Sequence, residues 1–175
     1  MKVIGLAGWS GAGKTTLLTR LIPYFAGQGL RVSVIKHAHH RFDIDVPGKD
    51  SWRHREAGAA EVLISSQNRW ALMHELRGAE EPRLSELLDK LLPVDLVVVE
   101  GFKRERLRKI EVHRAANGKP LLHPDDPGIV GIATDASIET GLPTVRLDDI
   151  PAVAALALRS AMPIEQAMTQ AAVTH

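Results

Sequence analysis

The run Gly8-Trp9-Ser10-Gly11-Ala12-Gly13-Lys14-Thr15 has the residue types and spacing to hold the phosphates of a nucleoside triphosphate. It matches G-x-x-x-x-G-K-[ST] in full. Glycines let the backbone curl so that successive N–H groups point inward at the phosphates. A helix starting near Gly13 adds the positive end of its dipole. Lys14 can then reach the β- and γ-phosphates, while the Thr15 hydroxyl can coordinate Mg²⁺. The plain alternative is a glycine-rich turn that fits by chance. It does not call for a strand before the run and a helix after it, and both are expected here.

A loop of this kind works with an acidic residue at the end of a neighbouring strand, where it holds magnesium or its water. Glu100 follows the apolar run Leu96-Val97-Val98-Val99, the Walker B position, and Gly101 lets the backbone come close. Asp50 is the second candidate. It opens Asp50-Ser51-Trp52-Arg53, which is similar to the Asp-Thr-x-Arg motif that follows the second strand in signal-recognition-particle-type GTPases. There the aspartate faces the metal and its water. Against this, Asp50 or Ser51 can simply cap a helix. Asp43 and Asp45 share the loop and are candidates to face the metal when it closes. The metal candidates are therefore Thr15, Asp50 and Glu100, and the catalytic ones Asp43, Asp45, Asp50 and Glu100.

Other clusters are weaker signals. His37, His39 and His40 do not have the spacing of a structural zinc site, and there is no cysteine to complete one. Lys103, Arg104, Arg106, Arg108 and Lys109, interrupted by Glu105, read as a solvated loop. Their sharper reading is a site for an acidic partner or a phosphorylated ligand supplied across a dimer. Thr134-Asp135 follows an apolar run on the side of the sheet where bases are read. An aspartate there can accept both N–H groups of guanine, as the aspartate of Asn-Lys-x-Asp does in GTPases. The preceding Asn-Lys is absent, so guanine is favoured over adenine by this residue alone.

These residues need a particular scaffold. Val3 to Ala7 is a short apolar run entering the glycine-rich turn, as a buried parallel strand does. Leu17, Leu18, Leu21, Ile22 and Phe25 form a helical stripe within Lys14 to Ala26, which Pro23 is expected to kink or end early. Gly27 and Gly29 close it, and Arg31 to Lys36 reads as a second strand, making a βαβ unit with a right-handed crossover. His37 to Asp50 is a long loop. Ser51 to Ala60 reads as a helix, Glu61 to Ser66 and Arg69 to Leu76 as an antiparallel hairpin, and Arg83 to Leu92 as an amphipathic helix. Strands follow at Leu96 to Val99, Ile110 to His113, Ile129 to Ala133 and near Thr144 to Arg146. A last helix, Ile150 to Arg159, is capped by Asp148 or Asp149. The expected class is α/β: a three-layer P-loop NTPase fold, a mostly parallel sheet with helices on both faces, plus the hairpin. Residues 1–160 make the nucleotide-binding domain, and 161–175 a C-terminal tail, a weak helix or frayed end.

Bulk properties narrow the function classes. A chain of 175 residues fits one domain. Lys plus Arg number 22 against 21 Asp plus Glu, so no overall field favours nucleic acid or an anionic membrane. Absence of cysteine excludes disulfides and thiolate metal sites and fits a reducing cytoplasm. No signal-peptide pattern opens the chain, and Ile150 to Leu158 is too short to span a bilayer. A cytoplasmic protein without nucleic-acid or membrane partners is expected.

Several of these groups together resemble one family. They are Gly8 to Thr15; Ile35-Lys36-His37 with His40; Phe42 to Ser51 (Phe-Asp-Ile-Asp-Val-Pro-Gly-Lys-Asp-Ser); and Arg53 to Ala59. Val99-Glu100-Gly101-Phe102-Lys103 and Lys109-Ile110-Glu111-Val112-His113-Arg114 complete the set. The set resembles the molybdopterin-guanine dinucleotide biosynthesis protein B family, up to about Asp135. The resemblance implies a GTP-binding homodimer with weak GTPase activity that uses Mg²⁺. It implies an accessory role beside the guanylyltransferase that joins GMP to molybdopterin, with molybdopterin and molybdoenzyme apoproteins as further partners. Carried over by position, Gly11, Ala12, Gly13, Lys14, Thr15 and Thr16 line the phosphates and Glu100 the metal side. It also implies that the hairpin joins a dimer sheet.

Two other classes compete. A P-loop small-molecule kinase also carries Glu-Gly after its Walker B strand, with Asp43, Asp45 or Glu100 as base and Lys103 to Lys109 as lid. It needs an acceptor-binding segment, and none stands out in the sequence. A structural adaptor that uses nucleotide only to staple its fold would show no turnover. Unassisted P-loop GTPases turn over at about 10⁻⁴ per second and kinases at roughly 1–100 per second, so rate separates them.

Overall fold

The computed structural model describes residues 1–38, 42–102 and 105–172. In chain order the strands are β1 (Lys2–Ala7), β2 (Val32–Lys36), β3 (Glu61–Ser65), β4 (Trp70–His74), β5 (Leu96–Glu100), β6 (Lys109–His113), β7 (Ile129–Thr134), β8 (Thr144–Arg146) and β9 (Met162–Pro163). The helices are α1 (Lys14–Gly27), α2 (Asp50–Glu56), α3 (Leu84–Asp89), α4 (Ile150–Ser160) and α5 (Ile164–Ala172). The chain divides into two compact units, Met1–His37 with Arg83–His175, and Ala38–Pro82.

The larger unit is built on a sheet of order β2-β5-β1-β6-β7-β8, parallel throughout this path. β1 and β5 are central and buried on both faces, so they read as unbroken apolar runs. Alternation along β1 splits its side chains between two cores. Ile4 and Leu6, with Ile110 and Val112 of β6, pack against Leu17, Leu21 and Phe25 of α1 and Val153 and Leu156 of α4. On the opposite face Val3, Val97 and Val99 pack with Leu84 and Leu88 of α3 and Ala167 and Ala171 of α5. These are the three layers expected.

Some local expectations differ from what forms, among them α3, which spans Leu84–Asp89 within the expected Arg83 to Leu92. Pro23 lies inside α1, which runs on to Gly27. The missing N–H frees one carbonyl, and burial of Leu21 and Phe25 on either side of the proline holds the helix together. α2 is shorter than its pattern, ending at Glu56 ahead of Gly58 with φ of 110°. Residues 161–172, expected as a weak helix or frayed end, do form a helix, α5, but with the strand β9 ahead of it. Lys2 and Val3 precede the stretch of β1 paired with β6, and β9 pairs with them antiparallel. α5 then buries Ala167 and Ala171 against the second core.

The smaller unit holds α2 and the β3–β4 hairpin. Leu63 pairs with Leu72 and Ser65 with Trp70, and Ser66 closes the turn through its N–H to the Arg69 carbonyl at 2.9 Å. Val62 and Met73 are buried on one face, while Leu63, Trp70 and Leu72 on the other are exposed. Among the described residues, no helix is long and apolar enough to cross a membrane.

Candidate functional site

The chain leaves β1 and returns in β2 with β5 between them, while β6 lies on the other side of β1. Strand order therefore reverses at β1, and ligands of open α/β sheets bind beyond the carboxyl ends of the strands at such a point. The loop from Gly8 to Gly13 occupies it. A β-carbon on Gly8 would stand 2.5 Å from the Val112 carbonyl oxygen, and its φ of 145° suits only glycine. α1 starts at Lys14 with Gly13 as N-cap and no side-chain cap, so its first N–H groups face the loop. Lys14 Nζ donates to the carbonyls of Gly8 at 2.7 Å and Trp9 at 3.0 Å.

β5 carries Glu100 to the same edge. Its register sets Glu100 beside Leu6 of β1 and Lys36 of β2. Thr15 Oγ1 donates to Glu100 Oε1 at 3.4 Å. The next residue must be glycine: with φ of 96°, a β-carbon on Gly101 would come 2.8 Å from the His37 carbonyl oxygen. His37 leaves β2 there, donating its N–H to the Glu100 carbonyl at 2.8 Å, and its ring lies 5.0 Å from that of Phe102. An alcohol and a carboxylate, both hard oxygen donors, suit Mg²⁺, which takes one or two protein ligands and fills the rest with phosphate and water.

Asn117, Lys119 and Pro120, which the sequence reading did not single out, brace the phosphate loop from its far side. Asn117, ending a short 3-10 turn after β6, donates Nδ2–H to the Ser10 carbonyl at 3.0 Å. Trp9 Nε1 donates to the Pro120 carbonyl at 2.8 Å, and the Lys119 ammonium lies 5.9 Å from the Trp9 ring centre. The segment carrying these groups is fastened to β6. Lys109 and Asp126 pair at 2.8 Å, and Glu111 accepts the N–H groups of Leu122 at 2.7 Å and His123 at 3.0 Å. Lys109 and Glu111 are buried. Their alternation with Ile110 and Val112 is the signal available in the sequence: charges facing inward in a central strand must have partners.

Asp135 follows β7. Its Oδ1 accepts the Ala115 N–H at 2.8 Å, and its Oδ2 lies 3.5 Å from Arg114 Nη1. Gly13, Thr16, Arg114, Asp135 and Leu147 share the wall of a cavity of about 160 Å³. At its rim Arg146 and Asp148 form a two-bonded pair at 3.1 and 3.2 Å. That hydrogen bonding holds the Asp148 carboxyl below its ordinary pKa and Arg146 above its own. Gly11, Ala12, Gly13, Lys14, Thr15, Thr16, Glu100 and Asp135 thus converge on one edge of the larger unit.

Asp43, Asp45 and Asp50 belong to the smaller unit. Arg55 gathers the first two: its Nη2 lies 2.9 Å from both Asp43 Oδ1 and Asp45 Oδ1, and its Nη1 reaches Glu75 at 3.4 Å. The Asp45 side chain is 2% exposed, and its hydrogen bond drives the Arg55 guanidinium above its already high pKa. With the carboxylates turned to Arg55, the apolar residues that alternate with them, Phe42, Ile44 and Val46, are exposed. Asp50 lies in the first turn of α2, whose N-cap is Lys49 with no side-chain bond, so the capping role considered for Asp50 or Ser51 does not form.

Within the basic run, Arg106 and Arg108 are exposed and Lys109 is a buried ion-pair partner. Lys103, Arg104, His39 and His40 lie outside the described residues. Among the described residues, no three His, Asp or Glu side chains group so as to hold a metal ion.

The family model described as molybdopterin guanine dinucleotide synthesis protein B matches residues 3–135. A Haemophilus influenzae protein named molybdopterin-guanine dinucleotide biosynthesis adapter protein is 42% identical over 153 residues, 87% of this chain and 85% of the relative. The Escherichia coli protein of the same name is 40% identical over 155 residues, 87% of this chain and 89% of its own. A crystal structure of molybdopterin-guanine biosynthesis protein B superimposes with a TM-score of 0.72 at 28% identity, covering 90% of this chain and 98% of that one.

Proposed function

This chain belongs to the molybdopterin guanine dinucleotide synthesis protein B family, and from that premise we propose that it is a GTP-binding adapter in molybdenum cofactor biosynthesis. In this reading it hydrolyses GTP slowly and serves the guanylyltransferase that attaches GMP to molybdopterin. The observation that carries the nucleotide half is the meeting of Thr15 and Glu100 at 3.4 Å beside the Gly8–Lys14 loop. The adapter half rests on the names of the relatives.

Each residue then has a task. Backbone N–H groups of Gly11 to Thr16 take the phosphate oxygens, and Lys14 moves from the Gly8 and Trp9 carbonyls to the β- and γ-phosphates. Thr15 would hold Mg²⁺ directly and Glu100 would hold it or its water. The ion, when bound, neutralises charge on the outer phosphates. Asp135 reads the base, accepting the two N–H donors that guanine has and adenine lacks. Asp43, Asp45 and Asp50 lie in the smaller unit, where Asp43 and Asp45 are bound to Arg55. In this reading the working form is a homodimer in the cytoplasm, with the β3–β4 hairpin taking part in a dimer sheet.

Competition between GTP and ATP, with and without a purified guanylyltransferase, tests the reading. GTP preference, turnover on the order of 10⁻⁴ to 10⁻³ per second and a response to the transferase support it. Fast nucleotide consumption that depends on a small acceptor would overturn it in favour of a kinase. Lys14→Ala, measured by calorimetry, must abolish GTP binding while the fold stays intact.

A further inference from the structure

We infer that Arg114 is a nucleotide-binding residue, holding the first phosphate of the bound nucleotide from the base side. This rests on the GTP reading above and adds a residue to it. The direction of the ligand comes first. Thr15 and Glu100 mark the end of the triphosphate that carries the metal, and Glu100 stands on the β5 side of β1. A chain of phosphates lying across the loop must then leave its nucleoside on the other side, toward β6, β7 and β8. The cavity walled by Gly13, Thr16, Leu17, Arg114, Asp135 and Leu147 opens there.

Arg114 spans the junction between loop and cavity. A β-carbon built on Gly13 would lie 3.3 Å from its Nη2 and 3.6 Å from its Nε, so the guanidinium rests against the N-cap of α1. At its other end Nη1 is 3.5 Å from Asp135 Oδ2. A cation at the amino end of a helix meets charge of its own sign. An ion pair at 3.5 Å, with side chains 42% and 34% exposed, compensates weakly. A phosphate between the helix end and the guanidinium turns that repulsion into two attractions, and the planar fork of arginine suits two phosphate oxygens. The same side chain touches the carboxylate assigned to the base. Arg114 thereby links the grip on the first phosphate to the choice of base.

The test is competition of GTP, GDP and GMP against a fluorescent guanine nucleotide, with Mg²⁺. Wild type is compared with Arg114→Ala, Arg114→Lys and Lys14→Ala. The first phosphate is common to all three ligands, so Arg114→Ala weakens each by a similar factor of about ten or more. Arg114→Lys restores part of the loss, and Lys14→Ala penalises GTP and GDP far more than GMP. Unchanged affinities in Arg114→Ala, or a loss confined to GTP, overturn the inference and leave the GTP site standing. Wild-type protein that binds no guanine nucleotide overturns the GTP reading itself. Arg114 is surface-accessible, and coincident thermal melts of the variants show that any loss is one of binding.

Discussion

The hydroxyl of Thr15 donates to the carboxylate of Glu100 at 3.4 Å across 85 positions of sequence. Two elements deliver this meeting independently, the first turn of α1 and the carboxyl end of β5, and the parallel register of β1 with β5 fixes their level. Loss of a carboxylate one ligand away from a metal costs about 10–100-fold in metal affinity. In Glu100→Gln, the Mg²⁺ concentration needed for half-maximal GTP binding should therefore rise by about that factor. Binding without magnesium should be unchanged. An unaltered magnesium titration would remove Glu100 from the metal side.

Asp135 gives a cleaner test of base choice. One of its oxygens is committed to the Ala115 N–H, which an asparagine carbonyl can also accept, so Asp135→Asn should fold normally. The other position then presents an N–H donor in place of an acceptor. Guanine loses a bond to a charged group, about 1.5–3 kcal/mol, and GTP binding should weaken about ten- to a hundredfold. Xanthine, with a carbonyl where guanine has an amino group, should bind better to the variant than to wild type. Equal discrimination by both proteins would show that Asp135 does not meet the base.

Much of this edge could be read from residue order, because Gly8 to Thr15 and Val99-Glu100-Gly101 are local patterns whose chemistry needs that spacing. The bracing residues could not. Asn117 meets Ser10 across 107 positions, and nothing in an Ala-Ala-Asn turn announces a partner. α5 was legible only as a weak helix or frayed end; residue order did not show that Ala167 and Ala171, with Ile164 and Met168 beside them, dock it on the second core. Arg55 was hidden because Asp43 and Asp45 read as free loop carboxylates until the fold sets a guanidinium between them.

That guanidinium makes the smaller unit testable on its own. Arg55→Met leaves the nearly buried Asp45 carboxylate without its partner, and the residues from 42 to 49 should become cleavable by protease sooner than in wild type. Arg55→Lys should recover little, since one ammonium cannot copy bonds to Asp43, Asp45 and Glu75 together. Cleavage rates equal to wild type in both variants would mean the cluster does not order the segment.

Glu111 is the corresponding test in the larger unit. Its carboxyl oxygens each accept one backbone N–H, from Leu122 and from His123, and the side chain is 1% exposed. Glutamine keeps the shape but turns an amino group toward one of those N–H donors, so one bond becomes a clash between donors. Loss of a buried bond with its partner left unsatisfied costs about 1–3 kcal/mol, readable as a lower urea midpoint with an unchanged slope. The effect should reach further than stability. The fastened segment carries Asn117 and Pro120, which hold the Ser10 and Trp9 end of the phosphate loop, so Glu111→Gln should also weaken GTP with Lys14 and Thr15 untouched. Asn117→Ala removes only the contact to Ser10, and it should weaken GTP with a smaller change in the urea midpoint. If Glu111→Gln is destabilised but binds GTP as wild type does, the segment supports the fold and plays no part in shaping the loop.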